Sequence, residues 1–387
     1  MSHLRSVLAL CTALCTGLVV TLSACSAEDA PGGKAEPLKT VGAAEGALNL
    51  LSLPGYVEEG FEDRSVDWVK PFEERSGCQV NVRTVGTAQD VYERMSGGDF
   101  YDGALVPSEA FGRLVAADGL APVNTRLLPS YKSLDARLRG LVKQGDETYG
   151  VPAAWGANLL LFETGQAQPA SWGAVFDPGE SKPHHKRIVW RDGPHAIASA
   201  ALYLKHRKRS LKIRDPYALT TGQLDEVVSL LREQRPNVLS VWKDGIQSIE
   251  AFAAGDAVVG MGGLHELDVL ARGGRPIAVA APKEGVTGWY AAWGINPRVR
   301  HPNCMYQWLD WVSTPEVQKQ VAEWRGVSPA DSRACGLLRP GFCTAYHVGD
   351  RAYIDGLVFP RIPDEECEKD SECADWSDWT EAWSSLG

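Results

Sequence analysis

The sequence lacks any apolar stretch long enough to cross a bilayer. Its one sustained run, Val7 to Val20, is broken by Thr and Gly and falls short of the about 20 residues that a membrane helix needs. It also lacks an excess of positive charge. Lys and Arg number 39 against 49 Asp and Glu, and the formal net charge of −10 argues against a general nucleic-acid binder. Catalytic signatures are missing as well. There is no Gly-x-Ser-x-Gly elbow and no phosphate-binding loop. Ser240-Val241-Trp242-Lys243 fits a Ser-x-x-Lys pattern without its companion Ser-Asp-Asn and Lys-Thr-Gly motifs. His265-Glu266 lacks the second His of a zinc-protease helix. No Cys-x-x-Cys occurs and the His residues are not grouped with Cys, so neither a metal nor a cofactor is expected. An enzyme is not expected, since an anchored hydrolase has only the exported location in its favour.

What is present begins with a leader. Met1 to Arg5 is short and basic, and the apolar run follows it, which is the layout of a secretory signal peptide. The run ends in Leu22-Ser23-Ala24-Cys25, which resembles the lipobox of bacterial lipoproteins. That resemblance implies cleavage before Cys25 and lipid on its sulfur, with several acyl chains, as stable anchoring requires. Residues 1–24 are therefore expected as signal peptide, and 25–46, rich in Ala, Gly, Pro and Glu, as lipidated Cys and flexible tether. The body is expected on the extracytoplasmic face of the cell membrane. It is larger than one hydrophobic core usually accommodates, which predicts two lobes.

Six Cys remain in that body: Cys78, Cys304, Cys335, Cys343, Cys367 and Cys373. An even set in an oxidising compartment predicts disulfides, in any of 15 connectivities. The local pairs Cys335–Cys343 and Cys367–Cys373 are the simplest, leaving Cys78 with Cys304.

Strand and helix patterns alternate at short intervals. Leu48–Leu51, Gln79–Thr84 and Tyr101–Pro107 read as strands. Asp67–Arg75, Thr87–Ser96 and Glu109–Ala117 read as helices, the first ending at Gly77. The scheme recurs beyond Arg187, where Leu224, Val227, Val228 and Leu231 form one helix face with Thr221 near its N-cap. This alternation predicts an α/β layer with parallel strands. Trp376, Trp379 and Trp383 in the acidic tail share a helix face, read as packing on the body.

Several segments together resemble the spermidine/putrescine-binding proteins of ABC importers. They are Gly55-Tyr56-Val57, Lys70 to Gly77, Tyr101 to Ser108, Tyr149 to Gly156, Pro236-Asn237-Val238, Ala254-Gly255-Asp256 and Pro282 to Gly285, in the family's order. The resemblance implies an α/β, two-lobed periplasmic-binding-protein fold of type II-like form, with the ligand cleft between lobes. The chain would cross near Trp155-Gly156 and again near Trp289. Lobe 1 would comprise 47–156 plus 287–329, and lobe 2 would comprise 157–286 plus 330–387, including the tail. It further implies a monomeric receptor that closes on a polyamine or related amine and docks on an ABC permease, with no catalysis of its own.

The resemblance carries over a set of ligand positions: Tyr56, Ser108, Asp192 and Trp289, with Glu109 and Glu266 as further candidate acids. Carboxylates suit the ends of an alkyl amine, and aromatic faces suit its stem. Asp192 could instead cap the helix after it. His195, where the family has an acid, reads as a surface residue at a helix start. Leu53, Gly263 and Ala291 also depart from the family's pattern, replacing two aromatics and an acid. A charge-assisted hydrogen bond gives about 1.5–3 kcal/mol and a cation–π contact about 0.5–2. Micromolar binding takes about 8 kcal/mol. Polyamine affinity therefore depends on compensation from Glu109 or Glu266. The alternative is a surface-anchored interaction or sensor protein that kept the fold with a diverged pocket.

Overall fold

A computed structural model describes residues 36–97, 99–361, 366–368 and 371–387. The expected signal peptide and the lipidation site Cys25 lie outside the described residues, as does the side chain of Cys367. Among the described residues no helix is long and apolar enough to cross a membrane.

One mixed sheet runs through the body. Its order is Gln79–Thr84, Ala47–Ser52, Gly103–Pro107, Val286–Ile295, Val151–Glu163, Val259–Gly262, Ile188–Arg191, Val238–Trp242. The flanking strands pair in parallel, as the alternating pattern predicts: Ala47–Ser52 with both Gln79–Thr84 and Gly103–Pro107, and Ile188–Arg191 with both Val238–Trp242 and Val259–Gly262. The two long central strands are antiparallel to each other. Val151–Glu163 does two jobs along its length. Residues 151–158 pair with Val286–Ile295, and residues 159–162 pair with Val259–Gly262.

Apolar side chains sort into two main cores on either side of that change. One holds Leu48 to Leu159 and Val286 to Phe359; the other holds Leu160 to Met261, joined by Ala374 and Trp379. The segment after 330 was expected with the second group, but Ala330, Ile354, Leu357 and Phe359 bury in the first. The cause is local pairing: Leu357–Val358 adds to the sheet beside Val286–Thr287.

Helix ends follow the local chemistry. Gly77 closes Val69–Ser76 with φ 73°, and Thr87 and Asp90 form a capping box on Ala88–Ser96. Thr221–Gln234 is capped by Thr220, one residue before the expected position, through a box with Gln223. Cys78–Cys304 and Cys335–Cys343 lie at bonding distance, with S–S separations of 2.09 and 2.04 Å. The first joins segments 226 residues apart.

Candidate functional site

The strands Ala47–Ser52 and Gly103–Pro107 run in one direction and Ile188–Arg191, Val238–Trp242 and Val259–Gly262 in the other, so the carboxyl ends of the two parallel sets point towards each other along the central strand Val151–Glu163. Open α/β sheets bind ligands at the carboxyl ends of their strands. Here the residues that follow those ends line a cleft of about 850 Å³, drawn from both cores. Tyr56, Glu109, Asp192, Glu266 and Trp289 all line it. Ser108 does not. It is buried, and its hydroxyl donates to Glu109 Oε2 at 3.1 Å.

Trp289 stands opposite Gly156 across the two central strands. A Cβ at Gly156 would sit 2.6 Å from the indole, so only glycine lets this ring lie against the strand. A similar accommodation occurs at Gly55, where φ is +82° and a Cβ would come 2.1 Å from Arg325 Cδ. Arg325 thereby reaches across the turn, with its guanidinium carbon 5.7 Å from the Tyr56 ring centroid. Burial pushes the Tyr56 hydroxyl up, against the opposing charge of Arg325.

Glu109 is already engaged. Its Oε1 lies 2.9 Å from His195 Nε2 and 3.5 Å from Arg191 Nη2. The His195 contact is close but off the line of a well-aligned hydrogen bond. His195 Nδ1 meets the Tyr217 hydroxyl at 2.7 Å. Burial pushes His195 down, against the pull of Glu109, which fits a neutral ring accepting from Tyr217 with its proton towards Glu109. Burial alone would raise Glu109; His195 and then Arg191 outweigh it and hold the carboxyl well below the usual range. His195 is thus fully buried, not the surface residue expected at a helix start. The helix Pro194–Arg207 packs its first turn inward, and a partly buried acid meets the ring. Arg191 also donates to Asn158 Oδ1 at 2.6 Å, and Asn158 Nδ2 donates to Thr287 at 2.9 Å. These bonds tie the cleft floor to both central strands.

Asp192 does not cap the following helix. Gly193 (φ 84°) holds the cap position, and Asp192 Oδ1 accepts from Trp383 Nε1 at 2.7 Å. Glu266 is buried and closes on the start of its own helix, Oε2 accepting from Gly263 N–H at 2.9 Å. The departures have local readings too. Leu53 and Ala291 line the cleft as apolar wall, and Gly263 supplies that N–H.

Sequence reasoning missed Arg191, Arg325, Trp242 and the tail as cleft residues. Arg191 had a signal, since it stands at the carboxyl end of a strand. Arg325 had none in its own helix. The tail helix Trp376–Ser384 packs as expected through Trp379, yet Trp376, Trp379 and Trp383 also face the cleft. Arg113 bridges to it, 3.6 Å from the Tyr92 ring centroid and 5.4 Å from that of Trp376. The lining carries five basic side chains against four acids. Arg191 and Arg325 are joined by Arg113, Arg235 and Lys243, and the three acids already named by Asp244. Among the described residues no group of His, Cys, Asp and Glu could hold a metal ion.

Comparison with known proteins agrees with this geometry. A family model described as bacterial extracellular solute-binding protein matches residues 67–334. The putrescine-binding periplasmic protein PotF of Escherichia coli (strain K12) is 24% identical over 320 residues, covering 77% of this chain and 82% of that protein. A solved protein of Listeria monocytogenes, provisionally assigned to spermidine/putrescine ABC transport, superposes with TM-score 0.71 at 19% identity, covering 88% of this chain and 98% of that one. The Tp0655 (TpPotD) lipoprotein of Treponema pallidum gives TM-score 0.68 at 16% identity, with 88% and 99% covered. The shared fold is the two-lobed α/β binding-protein fold.

Proposed function

Because the chain belongs to the bacterial extracellular solute-binding proteins, we propose that it is the extracytoplasmic receptor of an ABC importer, closing two lobes on an amine-containing small solute. The observation that carries this reading is the cleft itself, about 850 Å³, at the strand ends and walled from both cores. Hinge closure over such a space makes affinity depend on contacts from both sides. Tyr56 and Trp289 supply aromatic faces, Asp192 supplies a carboxylate, and Glu109 and Ser108 support the floor. Glu266 acts through its helix cap. Polyamines are the first solutes to try, since relatives are named for them.

Lobe 1 then comprises 47–159 and 286–359, and lobe 2 comprises 160–285 with the tail helix, following the two cores. The receptor acts as a monomer, hands solute to a permease, and is held by lipid on Cys25. The lipoprotein of Treponema pallidum among its structural relatives supports that last point.

One observation favours a second reading, an interaction or sensor protein with a diverged pocket. Glu109 and one oxygen of Asp192 are occupied by the protein's own side chains. The space is nevertheless open, which favours the receptor. Calorimetric titration with spermidine and putrescine tests both. Saturable binding that Asp192→Ala weakens about tenfold or more supports the receptor. Absence of binding by any amine favours the second reading.

A further inference from the structure

The acids and bases of the cleft are not equally occupied, and that imbalance bears on the ligand. An alkyl diamine presents two ammonium ends and asks for two carboxylates. Of the acids discussed, Glu109 already faces His195 and Arg191, and Glu266 Oε2 closes on the Gly263 N–H. Asp192 is different. Trp383 holds Oδ1, and among the described residues nothing bonds Oδ2. An oriented carboxylate with one open oxygen suits one ammonium.

Arg325 is the opposite case. Among the described residues no carboxylate forms an ion pair with it, and its Nε is buried without a hydrogen-bond partner. Glu58 feels its charge from beyond contact distance. The nearby His265 is pushed down by burial, and Arg325 adds to that, so the ring does not supply a second cation there. A cation at a helix C-terminus is favourable in itself, and Arg325 ends the helix Pro315–Arg325. That benefit does not require a glycine at 55 or a buried Nε. Both are explained if the planar guanidinium must be held across Tyr56 to meet an anion arriving in the cleft. Arg is the side chain suited to bidentate recognition of a carboxylate.

We propose that the solute carries a carboxylate as well as an amine, with Arg325 receiving the carboxylate beside Tyr56 and Asp192 receiving the ammonium. The proposal rests on the receptor reading and narrows its ligand class from amines in general to amino acids, α- or ω-. A diamine would bring a second cation to an unneutralised guanidinium.

The test is calorimetric titration of the purified protein with pairs of matched chain length: putrescine against γ-aminobutyrate, and cadaverine against δ-aminovalerate. Arginine and lysine represent α-amino acids and are set against agmatine and cadaverine, the corresponding amines without the carboxylate. In at least one pair the amino acid is expected to bind about tenfold or more tighter than its amine. Arg325→Gln should abolish that preference by weakening the amino acid without weakening the amine. Arg325→Lys should recover part of it, since charge remains while the fork is lost. Melting temperatures of both variants confirm folding; if Arg325→Gln is unfolded, the wild-type preference and Arg325→Lys decide. Tighter amine binding in every pair, or equal loss of both members on Arg325→Gln, overturns the proposal while leaving the receptor reading intact. If no member of any pair binds, both fall together.

Discussion

His195 shows how one residue changes role between sequence and structure. Beside Pro194 at a helix start it has the context of a surface residue, and nothing local announces Glu109, which lies 86 positions earlier in the numbering. In the folded chain the ring is fully buried against that acid. The pair predicts a sign for pH dependence. In the unfolded chain His195 takes up a proton near its ordinary value of 6.5, whereas the folded protein resists that proton to lower pH. Glu109 is protonated near 4.5 when unfolded and stays ionised when folded. In both cases the unfolded state binds more protons, so stability falls with acidification, first below about pH 6.5 and more steeply below about 4.5. Denaturant midpoints across that range check this. Glu109→Gln should lower stability by about 1–3 kcal/mol near neutrality, because it takes the acid from the partly buried Arg191, and should flatten the slope below 4.5. An unchanged slope would show that the pair does not govern the acid limb.

At the scale of elements, the strands and helices around the cleft were largely legible. Gln79–Thr84 occurs as its alternation reads, and Gly77 and Thr87 mark helix ends that local chemistry dictates. The tail was legible in part. Its three Trp residues lie on one helix face, but periodicity does not say which neighbour that face meets. Trp383 meets Asp192 as well as Trp190, the latter at 6.4 Å between ring centroids. Trp383→Phe keeps the ring and removes the donor. It should cost about 1–2 kcal/mol of stability and weaken solute binding by releasing Asp192, measured by thermal melting and calorimetry. Gly156→Ala is a sharper probe of the central strands. A methyl 2.6 Å from the Trp289 indole must displace that ring, so stability should fall by about 1–3 kcal/mol and binding should weaken. The Cys78–Cys304 crosslink closes a long loop, and replacing both by Ser should cost about 2–5 kcal/mol. Arg325 lay beyond the reach of sequence reasoning because its place depends on Gly55, 270 positions away in the numbering.

On the scale of the whole molecule, two cores share one sheet, and the strand Val151–Glu163 passes from one to the other beside the cleft. Closure needs little rearrangement within either core, since each packs its own helices on its own strands. The fold and the position of the cleft followed from ordered segments spread along the chain. The occupancy of its charges did not, because ion pairs such as Glu109 with Arg191 join the two halves. The central claim is that this cleft holds an amine-containing solute. The most direct test is the melting temperature of the purified protein against a panel of polyamines and amino acids. A true ligand at about 100 times its Kd should add about 2.7 kcal/mol and raise the melting temperature by several degrees. A panel in which no amine-containing solute raises it would contradict the account.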